Sequence, residues 1–138
     1  SITMAGCILF VDGKKFNVDS FLKSSKVRHI DSVWHKGDKS GLIRKHPRKS
    51  TSGFQIEVSK PDDNIPAQIK KALSFLKKYD AEFKRLRRYA GVERIELRFG
   101  IFLYQDSVAV EASFPSKLVS LAGKHSIEIS VFVYTPPR

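Results

Sequence analysis

Cys7 is the chain's only cysteine, which excludes an internal disulfide framework and any zinc site built on cysteines. It lies in the apolar run GCILFV and reads as a small core residue, so a reducing, cytoplasmic setting is expected. No apolar run approaches the ~20 residues needed to cross a bilayer, and no membrane partner is expected. The opening SITMAGCILFVDGKK lacks the basic stretch and cleavage site of a secretory leader. Ser1 to Thr3 read as a cloning remnant, with Met4 the start and residues 4–138 one domain.

Catalytic signatures are equally scarce. The four histidines, His29, His35, His46 and His125, show no i, i+4 spacing and no Glu-bearing metal motif, so no metal ligand is assigned. No Gly-rich phosphate loop and no nucleophile elbow is present, so no catalytic residue and no cofactor is assigned. A scattered pair such as His35 and His46, set near lysines, is what a small nuclease would use for acid–base cleavage of RNA, the lowest-ranked reading.

What the chain does have is an apolar content of 41%, with ten Phe, four Tyr and one Trp, which excludes intrinsic disorder. Its 138 residues suit one core, chains of this size burying roughly two thirds of their unfolded surface. The net charge is +11, and it is concentrated. Residues 36–50, KGDKSGLIRKHPRKS, carry +5, and residues 65–89 carry +6.

Periodicity supplies the elements. GCILFV reads as a buried strand, and KKFNVDSFLKSS as a short helix capped by Asn17 with Phe16 and Phe21 as a hydrophobic staple. VRHIDSVW is a second strand, and GFQIEVS a third that places Phe54, Ile56 and Val58 on one face. PDDNIP opens a long helix, with Pro66 in its first turn and Asp62, Asp63 and Asn64 at its positive end. Ile69, Ala72, Leu76, Tyr79, Phe83, Leu86 and Ala90 form one stripe. That continuous phase favours a single helix from Pro66 to Ala90, about 37 Å long, over two pieces meeting where Asp80 could cap. Gly91 is expected just past its end in the left-handed conformation. ERIELRFGIFL, VAVEAS and SIEISVFVY are further strands, with FPSKLVSLAGKH a short helix between the last two. The expected order is β-α-β-β-α-β-β-α-β. This is an α+β domain with a mixed, mostly antiparallel sheet of about six strands, and one long and two short helices on one face.

On the long helix, Lys70, Lys77 and Lys84 are seven apart, as are Lys71, Lys78 and Arg85. Each set is a column drifting only about 20° per step, opposite the apolar stripe. Arg87 and Arg88 extend the charge to the C-terminal end, where it favours the helix dipole. Glu82 is the lone acid placed to pair in the second half, whereas a stability-driven helix would interleave signs. The surface is either a solvated face or a landing site for something anionic. Arg44, Lys45, Arg48 and Lys49 in the 36–50 loop are the second candidate contact, with Trp34 beside them as core-edge anchor or aromatic contact. An acidic protein, such as a toxin neutralised by an immunity or antitoxin-like protein, is the favoured partner. Sequence-independent nucleic-acid binding is the alternative, because the columns carry no aromatics or amides for reading bases.

The segments SVWHKGD, SGFQIEVS, QIKKALSFLKKYDAEFKRL, GVERIELRFGI and FPSKLVSLAGKHSIEISVFVY, in that order, resemble a bacterial family of small proteins described only as a domain of unknown function. The resemblance rests on the turn Trp34, Lys36, Gly37, Asp38, the long helix, and Phe114-Pro115. It implies a bacterial, cytoplasmic, single-domain α+β protein and transfers no catalytic residue.

Overall fold

The computed structural model describes residues 6–39, 48–103 and 109–135. The elements run β1 (Ile8–Gly13), α1 (Val18–Ser24), β2 (Ser32–Trp34), β3 (Ser52–Glu57), α2 (Ile65–Lys78), α3 (Asp80–Arg88), β4 (Arg94–Phe102), α4 (Ser116–Lys124) and β5 (Glu128–Tyr134). They form one five-stranded sheet in the order β2-β3-β1-β4-β5. The first four strands pair antiparallel, and β5 lies parallel to β4. β1 through β4, with their helices, have the connectivity of a split βαβ unit, to which α4 and β5 add a parallel crossover.

Alternation decides the two faces. Leu9 and Val11 of β1, Phe54 and Ile56 of β3, and Ile95, Leu97 and Phe99 of β4 share a face with the helices. Against it pack Val18 and Phe21 of α1, Ile69, Ala72 and Leu76 of α2, Phe83 and Leu86 of α3, and Leu118 and Ala122 of α4. Gln68, 1% exposed, pins α2 to β4: its Nε2 donates to the Gly100 carbonyl at 2.9 Å, and its Oε1 accepts from the Gly100 N–H at 3.1 Å. The opposite face is plated rather than bare. The Phe10 ring lies 3.9 Å from the Arg98 guanidinium, 4.7 Å from that of Arg94, and 5.1 Å from the Trp34 ring. Asp12 holds Arg94, while Glu96 holds Arg98. Burial pushes the Glu96 carboxyl up, but the Ser130 hydroxyl and Arg98 more than offset it, leaving it below its usual range.

Three expectations are corrected. VAVEAS does not form a sixth strand: its described residues, 109–113, carry no strand. The position such a hairpin strand would take is occupied, because β4 already has β1 on one edge and β5 on the other. Nor is the long helix one piece. Tyr79 leaves helical geometry at φ −107°, ψ 28°, although the Tyr79 N–H still donates to Phe75 O and the Phe83 N–H to Tyr79 O. That continuity preserves the phase of the stripe, with Leu76 and Phe83 both buried, while freeing Asp80 to turn toward α4. The described residues therefore hold four helices. Finally, the second strand shrinks from VRHIDSVW to three residues, its path turned at His29 by a left-handed φ of 61°.

The caps follow local rules. Asn17 Oδ1 accepts from the Ser20 N–H at 3.0 Å, and Asn64 Oδ1 from the Ala67 N–H at 3.0 Å. α3 ends at Arg88, two residues before the expected Ala90, in a turn closed from Val92 N–H to Tyr89 O. Gly91 is left-handed there, at φ 89°.

Candidate anion-binding surface

The basic columns divide into held and unheld cations. Along α2, Lys70, Lys77 and Lys78 are exposed and have no carboxylate partner among the described residues, and the same holds for Arg88 on α3. Lys78 lies over the Tyr79 ring at 5.3 Å. The other three members of the columns are engaged within the fold. Lys71 Nζ donates to Asp63 Oδ2 at 2.6 Å, and that bond holds the Asp63 carboxyl below its ordinary range. Lys84 pairs with Asp80 at 3.2 Å.

Arg85 is a brace rather than a docking residue. Its guanidinium sits 4.4 Å from the Phe21 ring and donates to Phe21 O, Ser24 O and Ser24 Oγ at 2.9, 3.1 and 2.9 Å. Those carbonyls lie in the last turn of α1, where the helix runs out of backbone donors; Ser24 Oγ also donates to Phe21 O at 3.3 Å, and the cation closes the C-terminus of α1 from α3. Glu82, the acid expected to pair on the surface, is 8% exposed; it accepts from the Lys26 N–H and stands 3.8 Å from Arg85.

Asp80 is the principal acid of this region. It accepts from Lys84, from Lys124 at 3.4 Å, and from the fully buried His125, whose Nε2 lies 2.8 Å away. Lys84 first, then His125, draw its pKa down to about 2. The contact joins the start of α3 to the end of α4 across 45 residues of sequence, a separation no local pattern could bridge.

The loop adds less than its composition promised. Arg44, Lys45 and His46 lie outside the described residues. Arg48 donates to Gly37 O at 2.9 Å, within a small ladder that also pairs the Gly37 N–H with Lys49 O and the Lys49 N–H with Asp38 O. Trp34 is buried, 8% exposed, on the sheet face away from the helices, with Lys49 Nζ 5.3 Å above its ring. A partner lying along α2 cannot reach Trp34. The Trp34–Asp38 turn has its own cause: the Asp38 carboxylate accepts from the His35 N–H at 2.7 Å, and Gly37 takes φ 96°. His35 in turn bonds Asp19 at 2.8 Å. Among the described residues no three metal-ligating side chains converge.

Sequence reasoning missed a cleft beside the unheld lysines. Because β2 covers β3 only from Gly53 to Gln55, the chain beyond leaves a hollow of about 320 Å³ between β3 and α2. Arg28, His29, Lys71 and Lys78 stand around it, over Ile56, Val58, Phe75 and Tyr79. A left-handed histidine carries no signature in the sequence, so nothing local foretold it. No family model, curated protein or solved structure matches this chain.

Proposed function

We propose that this is a non-enzymatic binding protein that presents the outer face of α2, with the end of α3, to an acidic protein partner. An immunity or antitoxin-type role, in which the partner is a toxin, is its concrete form. One observation carries the proposal: Lys70, Lys77, Lys78 and Arg88 are exposed and unheld among the described residues, although the fold engages their neighbours Lys71, Lys84 and Arg85. Unpaired like charges repel one another, and a carboxylate-rich partner relieves that repulsion on contact.

The test separates a site from mere net charge. Polyglutamate binding is measured against salt for the wild type, for the triple reversal of Lys70, Lys77 and Lys78 to Glu, and for the same reversal at exposed Lys14, Lys23 and Lys117. Loss confined to the first variant supports the site, while equal loss in both shows that only overall charge matters. Duplex DNA is the control ligand. If it binds more tightly than polyglutamate, with a log–log salt slope near −5, as for about six phosphates, the surface belongs to nucleic acid.

A further inference from the structure

We infer that the cleft between α2 and β3 seats an apolar side chain of the acidic partner, flanked on the partner by carboxylates. The inference rests on the binding role proposed above and specifies where and how the partner is held. An open basic face attracts anions but discriminates poorly, since exposed ion pairs contribute little each. A concave apolar floor inside a cationic rim recognises a narrower chemistry.

The cleft has both parts. Its floor includes Ile56, Val58 and Phe75, and its volume of about 320 Å³ lies at the small end of the range for ligand pockets. On the rim, Arg28 and Lys78 are exposed with no carboxylate partner among the described residues, and Lys71 shares Asp63. Glu57 is the one acid among the described lining residues and Asp63 already pairs with Lys71, so an incoming carboxylate meets two unpaired cations, Arg28 and Lys78, against one anion. A cationic segment meets the reverse. Base stacking is disfavoured, because Phe75 packs edge-on against the buried Phe83 and tilted against Tyr79, so that Phe75 and Tyr79, each half-buried, offer no flat platform. The ligand chemistry is therefore a short acidic peptide segment carrying one leucine or phenylalanine.

Fluorescence anisotropy with labelled peptides tests this at ~0.01 M ionic strength, where charge interactions reach ~30 Å. One peptide is all Asp and Glu around a central Leu, and the other has Ser in its place. The Leu peptide should bind wild type about tenfold more tightly, the gain from burying one aliphatic side chain. Ser74→Trp, placed on the exposed cleft wall to fill the hollow, should abolish that difference and leave the Ser peptide unaffected. Lys77→Glu, outside the cleft, should weaken both peptides by the same factor. Should Ser74→Trp not fold, Arg28→Glu on the exposed turn should cost the Leu peptide more than the Ser peptide. Equal affinities for wild type overturn the cleft and leave the basic-surface role standing. Failure of both peptides to bind overturns that role and the cleft with it. Tighter binding of single-stranded oligothymidylate, unchanged by Ser74→Trp, also overturns the inference.

Discussion

Replacing Arg85 by alanine should destabilise the fold far more than replacing any unheld lysine of α2. The guanidinium makes three donor contacts to the end of α1 and stacks on Phe21. A hydrogen bond from a charged donor contributes about 1.5–3 kcal/mol, and a cation–π contact at a partly exposed site about 0.5–1 kcal/mol. These do not simply add. One guanidinium makes all the contacts, its side chain stays 34% exposed, and its buried Nε has no partner among the described residues. A net loss of about 2 kcal/mol is expected, or a fall in Tm of about 6–10 °C for a chain of this length. Lys77→Ala is the matched control, because it removes the same unit of charge from a protein of net +11 and should stay within about 0.5 kcal/mol of wild type. Arg85→Lys retains the charge but not the planar fork, and should fall near the alanine variant. Urea unfolding followed by circular dichroism gives all three values. If Arg85→Ala and Lys77→Ala differ by less than about 0.5 kcal/mol, Arg85 is not a brace, and the division of the columns into held and unheld cations is wrong.

Two further outcomes follow from the same contacts. Asp80, drawn from 3.8 to about 2 in the folded chain, contributes stability that is present above pH ~4 and lost as pH falls through ~2. The stability difference between wild type and Asp80→Asn, from urea unfolding at stepped pH, should therefore be constant near neutrality and shrink toward zero between those values; a difference that persists unchanged at pH 2 refutes the linkage. The outer edge of β5 exposes Val131, Phe132 and Val133 at 40, 39 and 58%, with no charge from Ile129 to Tyr134. Unprotected edges of this kind template pairing with other chains, so Val133→Lys should reduce concentration-dependent light scattering while shifting stability by less than about 0.5 kcal/mol. Unchanged scattering means that the edge is not the route of self-association.

The fold class was legible because its cause is local. Alternation in GFQIEVS and ERIELRFGIFL placed Phe54, Ile56, Ile95, Leu97 and Phe99 on the buried face before any pairing was known. Asn17 and Asn64 cap through their own following turns. The stripe through Ile69, Leu76 and Phe83 stayed in phase even across the break at Tyr79. VAVEAS alternates just as cleanly and still forms no strand over 109–113, because a hairpin strand needs the place beside β4 and β5 occupies it. Alternation measures a segment's fitness for a sheet, not a vacancy in one.

Charge divides in the same way. The sequence by itself determined that the cations form columns on the side of the helix opposite its apolar stripe, because 3.6 residues per turn require it. Only the tertiary structure decided which of them are engaged. Asp63 reaches Lys71 from ahead of the helix, Phe21 and Ser24 bring α1 to Arg85, and His125 arrives from α4 to share Asp80. Apolar burial is set by spacing along the chain, whereas an ion pair is set by proximity across it, over distances of sequence that no period encodes.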